Sequence, residues 1–335
     1  MSDTQLSTVV LACAVIGAIT YVVTSGTGAT AENIWRKVKL TGIGSFHMLL
    51  SKDKKFKLEV DSAKIILDPN SPRKRIIFVR HGESEWNEVF NRGFGPGFLI
   101  RLVSALIREV MMLGTRDSVF FDSPLSTTGI KQTQELLRYL QKPADSFEAP
   151  GVADAVSVLR GGSMTPSVLA TSNLRRAIAT GLIVLWDRLR GGEERFFVHS
   201  ALQEMTFNVD GISLLEKGET PDDGLAKELG GDVLFDAEFN EGTKALSNTG
   251  MKRISALAEW AMKRPEDTVV CTGHSLYFRS FFRCYLPQSV AHEAKKKKIV
   301  NCGVVAFTLE RGIFNGRPGY RIDPKSIVNV YGGFK

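Results

Sequence analysis

Charge is missing from the first part of this 335-residue chain: residues 4–31 carry none, and residues 9–23 ("VVLACAVIGAITYVV") are nearly all apolar. A membrane span needs about 20 such residues, so the sequence predicts an N-terminal transmembrane helix as an anchor over residues 1–30, in the bilayer through residues 8–24. Arg36, Lys37 and Lys39 follow the segment, while only Asp3 precedes the uncharged run. The positive-inside rule then predicts a single-pass protein whose remaining chain is cytosolic. A signal peptide cleaved near Ala29-Thr30-Ala31 is one rival, although the basic start such peptides carry is absent; a buried helix is another. The endoplasmic reticulum and the mitochondrial outer membrane both accept such an anchor.

Cysteine is scarce: Cys13, Cys271, Cys284 and Cys302 show no C-x-x-C or zinc spacing, which excludes a disulfide scaffold or a zinc module. Excess positive charge is missing from most of the chain. Of the net +7, +6 arises within residues 31–75, so the bulk is no nucleic-acid-binding surface. Repeats, low-complexity tracts and metal or cofactor motifs are also lacking, and no cofactor is expected. Nothing in the sequence fixes an oligomeric state.

Beyond residue 73, apolar runs alternate with helical patterns. "RIIFVR" precedes "ESEWNEVF", "SVLATS" precedes "NLRRAIATGLIVLWDRL", "DTVVCTG" precedes "HSLYFRSFFRCYL", and "GVVAFTLE" comes last. The pattern predicts a three-layer α/β/α sandwich with a mostly parallel central sheet, over residues 74–335. Residues 31–73 read as a basic connector with one hairpin, "KFKLEV" and "KIILDP". Residues 97–113 read as an inserted helix whose polar stripe is Arg101, Ser104, Ala105 and Arg108. It is either a core helix or a lid or membrane-resting helix. Residues 205–248 read as a cap or long surface loop. The lysine run 295–298 reads as a solvated loop, with anionic headgroups or a phosphorylated ligand as the alternative.

Chemistry concentrates where strands end. His81 and His274 each follow an apolar run, neighbour a glycine and open a helix. His47, His199 and His292 have no such setting and read as structural or surface residues. In an α/β sheet, groups at the carboxyl ends of strands converge on one edge, where ligands collect.

The stretch "VRHGESEWN" (79–87) resembles the signature of the histidine phosphatase superfamily, which includes the phosphoglycerate mutases. Four further elements are similar to that family's, in the same order: "SPLSTTGIKQ" (123–132), "SNLRRAIATG" (172–181), "LQEM" (202–205) and "VVCTGHSLYFR" (269–279). The resemblance covers roughly residues 74–310 and implies a phosphoglycerate mutase-like fold. It implies His81 as the nucleophile forming a phosphohistidine and His274 as a second histidine on the transferring phosphoryl group. Arg80 and Arg176, rather than Arg175, would bind phosphate, and Glu204 would be the acid–base group, with Asp210, Glu216 and Glu219 nearby as rivals. Ser84 and Asn87 would add contacts, though capping explains them equally well. No metal and no cofactor are implied.

The physical logic is consistent with those roles. A phosphoryl group spreads negative charge over its oxygens in a loose transition state, so cationic forks suit it. Guanidinium groups nearby favour the neutral, nucleophilic histidine. A phosphatase and a mutase share these residues. The 37 residues between Asn87 and Leu125 and the "MTFNVDG" continuation after Glu204 depart from the mutase pattern. The expected activity is therefore phosphomonoester hydrolysis, on a phosphorylated small molecule or phosphoprotein. A mutase and a non-catalytic membrane-tethered scaffold are the alternatives.

Overall fold

The computed structural model describes residues 28–54, 61–191 and 194–335. The expected anchor falls almost entirely on residues 1–27, outside the described residues. Among the described residues no helix is long and apolar enough to cross a membrane.

The first element is a helix, α1 (Gly28–Leu50), where the sequence suggested a connector. Its Leu40 joins an apolar cluster with Phe120, Phe121, Val209 and Ile212. Of the hairpin expected next, only the second half falls within the described residues. That half enters a 3-10 turn over Ser62–Lys64, and Ile66 bridges to Ile313.

The sandwich follows: β1 (Arg73–Arg80), α2 (Glu85–Phe90), α3 (Pro96–Met111), α4 (Thr127–Leu140), α5 (Pro150–Leu159), β2 (Ser167–Thr171), α6 (Arg175–Val184), α7 (Trp186–Leu189), β3 (Phe196–Val198), α8 (Gly224–Glu228), β4 (Phe235–Asp236), α9 (Gly250–Lys263), β5 (Thr268–Gly273), α10 (Ser275–Tyr285), β6 (Val304–Phe314), β7 (Arg317–Ile322) and β8 (Val328–Tyr331). Strand order is β4-β3-β2-β5-β1-β6-β7, with β8 also paired to β6. The pairs from β4 to β1 are parallel, and β6 pairs antiparallel with β1, β7 and β8. "GVVAFTLE" is therefore not the last strand; two antiparallel strands follow it.

Side chains on a strand point alternately to opposite faces, and β1 divides its residues accordingly. Ile76 and Phe78 pack with α9 and α10, including Leu257, Phe278 and Phe281. Ile77 and Val79 pack on the other face with Leu136, Val156, Ile178 and Leu182 of α4, α5 and α6. Phe78 stacks on Phe278 with centroids 4.0 Å apart. Burying each such ring stabilises by about 1.5–3 kcal/mol. Cys271, Cys284 and Cys302 are buried free thiols, and burial pushes each thiol up.

The expected inserted helix is present as α3, whereas the expected cap region differs from its sequence reading. Residues 205–248 are no loose loop: β4 extends the sheet, and Met205, Ile212, Leu229 and Lys244 are buried. On α3 only Ala105 of the polar stripe is buried; Ser104 and Arg108 are exposed, and much apolar surface is exposed with them. Ala105 is buried with Glu109, while Leu99, Ile100, Val103, Ile107 and Met111 are exposed. Glu109 pairs with Lys37 of α1 at 3.1 Å and accepts from the Val119 amide at 2.7 Å. That pairing lies on the inward side of α3, where Phe98, Leu102 and Leu106 also pack, and a second apolar row faces outward.

Candidate active site

Register brings the site together. β1 and β5 are adjacent and parallel with Arg80 opposite Gly273, so His81 and His274 leave the same sheet edge side by side. Their ring centroids are 5.0 Å apart. β2 adds Ser172 beside them, since Thr171 pairs with Thr272. The chain after β3 turns through Ser200–Leu202 and delivers Glu204 to this edge.

His81 is fixed at both ends. Its amide donates to Gly273 O at 3.0 Å, and Nδ1 lies 2.5 Å from Gly82 O. A carbonyl only accepts, so Nδ1 carries the proton and Nε2 keeps its lone pair. Gly82 is required by packing rather than by ligand approach: a Cβ there would lie 2.7 Å from Gly129 O. Burial, then Arg176 and Arg80, push the His81 ring well below the usual imidazole range, against the Gly82 carbonyl.

His274 is the N-cap residue of α10, and its Nε2 lies 2.9 Å from Ser172 Oγ. Burial, Arg176 and His81 push its ring well below the ordinary value too. Both rings are therefore neutral near neutral pH, inside a cationic pocket.

The two arginines are held by carbonyls and one carboxylate. Arg80 Nη1 donates to Ile299 O at 2.6 Å, and burial lowers its guanidinium to about 10, with Glu204 opposing. Arg176 Nη1 donates to Asp210 O at 2.8 Å, and Nη2 lies 3.3 Å from Asp210 Oδ2. Burial pushes the Asp210 carboxyl up and Arg176 opposes it. Arg175 turns away, to the carbonyls of Asp122 and Ser118 at 3.0 and 2.6 Å. Arg80 Nε and His274 Nδ1 are buried without a hydrogen-bond partner in the protein. Buried polar atoms are nearly always paired, so these two mark where an oxyanion fits.

Glu204 sits at the N-terminus of α10. Its Oε1 accepts from the Met205 and Tyr277 amides at 2.9 Å each, and Oε2 accepts from Leu276 at 3.2 Å. Free amides of a first helical turn suit a carboxylate.

Arg80, His81, Arg176, Glu204 and His274 thus converge, whereas Ser84 and Asn87 are engaged elsewhere. Ser84 Oγ caps α2 by accepting from the Asn87 amide at 3.2 Å, and Asn87 Oδ1 accepts from Asn91 at 2.7 Å. His47 is buried, His292 Nδ1 accepts from the Ala294 amide, and His199 packs between Phe239 and Trp260, where burial lowers its ring to about 4. Of the lysine run, Lys295 donates to the Pro287 and Val290 carbonyls and Lys297 to Glu293, while Lys298 has Arg80 and Glu204 among its electrostatic neighbours. Among the described residues no three His, Cys, Asp or Glu side chains group as metal ligands.

Sequence reasoning missed Ser172, which orients His274, although it lies inside the quoted "SNLRRAIATG". It also missed the carboxylate holding Arg176, which sits within "MTFNVDG".

No family model matches the chain, and no curated protein matches it. Among solved structures, similar chains include a mycobacterial glucosyl-3-phosphoglycerate phosphatase complexed with VO3. It has 16% identity and a TM-score of 0.38, with 75% of this chain and 97% of that chain covered. An ecdysone phosphate phosphatase from Bombix mori in complex with tungstate has 13% identity, a TM-score of 0.36 and coverage of 70% and 88%. A phosphoglycerate mutase from Bacillus anthracis has 16% identity, a TM-score of 0.38 and coverage of 76% and 93%. At such identities and TM-scores these likenesses carry no argument about this chain.

Proposed function

We propose that this chain is a phosphomonoester hydrolase of histidine phosphatase type, working through a phosphohistidine on His81. The observation that carries the reading is the state of His81. It is a neutral ring whose Nδ1 is held on Gly82 O, flanked by Arg80, Arg176 and a second neutral histidine.

In the first step the His81 Nε2 lone pair attacks phosphorus and the ester P–O bond breaks. Glu204 gives its proton to the departing alkoxide. Arg80, Arg176 and His274 stabilise the three equatorial oxygens as charge spreads over them. In the second step water attacks the phosphohistidine and Glu204 takes its proton. The P–N bond then breaks, regenerating His81 and inorganic phosphate. General acid help of this kind is worth about 10²–10⁴-fold.

Hydrolysis rather than mutase chemistry is supported by the insertion between Asn87 and Leu125, which builds α3, and by the Met205-Thr206-Phe207 continuation after Glu204. The full chain should release inorganic phosphate from p-nitrophenyl phosphate and from a panel of phosphorylated metabolites and phosphopeptides. Interconversion of the two monophosphoglycerates with a bisphosphate primer, without net phosphate release, would establish the mutase instead. Folded chain with neither activity leaves the scaffold.

Residues 8–24 we read as the tether of this enzyme to a membrane, with the catalytic part cytosolic. The start of α1 meets the end of α3, where Asn33 Nδ2 donates to Gly114 O at 2.8 Å. The outward apolar side of α3 therefore lies near the point where a tether would emerge. Full-length chain should remain with membranes after carbonate extraction, and release into the soluble fraction would end this reading.

A further inference from the structure

Lys244 and Arg253 are buried cations on different segments, and one carboxylate serves both. Asp53 Oδ2 lies 2.7 Å from Lys244 Nζ, and its Oδ1 lies 2.7 Å from Arg253 Nη1. Both cations also donate to main-chain carbonyls, while Arg253 Nε is buried without a partner. Lys244 donates to Glu204 O at 2.6 Å and to Thr206 O at 2.7 Å, and Arg253 donates to Gln203 O at 3.3 Å. The cluster therefore grips the backbone of Glu204 from behind, while the Leu276 and Tyr277 amides hold its carboxylate in front.

Asp53 does not come from the sandwich. It follows α1, and the same helix presses on the next part of this loop. A Cβ on Gly44 would lie 2.8 Å from Val209 Cγ1, and Leu40 shares an apolar cluster with Val209 and Ile212. Residues 28–54 thus hold residues 204–212 at two points, one ionic and one apolar. Burial lowers the Lys244 ammonium to about 8, with Asp53 opposing. Without Asp53 two buried cations lack a countercharge, which a folded interior tolerates poorly.

We infer that Asp53 is a positioning residue for Glu204, and that docking of residues 28–54 sets whether the acid–base group stands in register with His81. This rests on the phosphatase reading. It makes the N-terminal helix part of the active site: a chain lacking residues 28–54 keeps Arg80, His81 and His274 but loses the support of its proton donor.

The test uses the full chain with Asp53→Asn, Asp53→Glu and the double variant Asp53→Asn/Lys244→Met, which removes one orphaned cation if the single variant folds poorly. Three quantities are read: kcat on p-nitrophenyl phosphate, inhibition by inorganic phosphate, and amide exchange at Leu276 and Tyr277. Asp53→Asn should lower kcat about 100-fold, the scale of a misplaced catalytic group. Its phosphate inhibition constant should stay within about threefold, because the phosphate-binding residues are untouched. The Leu276 and Tyr277 amides should exchange faster than the rest of α10. Asp53→Glu should recover most of kcat, and the double variant should not, having also lost the Lys244 donor to the Glu204 carbonyl. The proposal is overturned if folded Asp53→Asn keeps wild-type kcat and amide protection. It is also overturned if kcat, inhibition and protection all decline together with global stability, the mark of a purely structural cluster. An inert wild type would remove the phosphatase reading, yet exchange at the two amides would still decide whether Asp53 positions Glu204.

Discussion

His81→Asn should give a folded chain that traps no phosphoryl group and turns over p-nitrophenyl phosphate roughly 10⁴-fold or more slowly. Asparagine matches part of the ring's volume, and its amide can still donate to Gly82 O, so the loop after β1 keeps its hydrogen bond. What disappears is the Nε2 lone pair of a ring flanked by Arg80, Arg176 and His274. The adduct gives a direct readout, because phosphohistidine is acid-labile and base-stable. Wild type rapidly quenched with a labelled substrate should carry such a label, and His81→Asn should carry none. A label persisting in the variant would move the nucleophile elsewhere. The pH profile adds an independent check. Burial and the two arginines push the His81 ring well below the ordinary value of about 6.5, and burial does the same to His274. The nucleophile is then still neutral as pH falls through the usual histidine range. The acid limb of kcat/KM that reports on the pair should accordingly lie below about 6.5. A limb at or above that value would mean the pocket does not depress these rings.

The sandwich was legible because its strands are buried on both sides and read as short apolar runs, "RIIFVR" and "DTVVCTG" above all. Once those two strands are neighbours, Arg80, His81 and His274 must share an edge. Hence the centre of the site followed from motifs that each end a strand. Features without a local signature were lost. α1 contains Gly42, Gly44, Ser45 and the cations Arg36, Lys37 and Lys39, so its periodicity is weak, and its reason for being helical is long-range. Gly44 lets the helix approach Val209, and Lys37 meets Glu109. On α3 the apolar periodicity was read correctly as helical, but the sequence left open which apolar residues face inward; the buried ion pair of Glu109 with Lys37 marks that side. Asp53 is separated from Lys244 and Arg253 by 191 and 200 positions, and nothing short-range announces such a pairing. For Ser84 and Asn87 the sequence offered two readings, phosphate contact and capping. They belong to a motif shared with phosphate-binding proteins, but in this chain the hydroxyl caps a helix and the amide bonds to Asn91.

Arg176→Met should be the most destabilising single change in the pocket, and its cost should be separable from its effect on catalysis. Arg176 is one of the largest fully buried side chains, and its guanidinium satisfies both the carbonyl and the carboxylate of Asp210. Deleting one partner of a buried pair typically costs about 3–5 kcal/mol, because the other charge is left unpaired. Here the loss has a pH signature. Burial already pushes the Asp210 carboxyl above its ordinary range, and Arg176 is the group opposing that shift. Without the arginine the folded carboxyl rises further, while the unfolded one stays near about 3.9. The folded variant then binds more protons than the unfolded chain above that value. Its stability falls as pH rises through the window, and the penalty shrinks on acidification. Adding Asp210→Asn removes the titrating group, so the double variant should regain much of the stability and lose this pH dependence. Activity should not return with it. Phosphate still lacks the fork that Arg176 supplies, so kcat/KM should remain about 100-fold or more below wild type. Denaturant titrations at two pH values and kinetics on the same two proteins decide the matter. If the double variant recovers activity as well as stability, Arg176 is a structural partner of Asp210, and Arg80 and His274 alone must hold the phosphoryl oxygens.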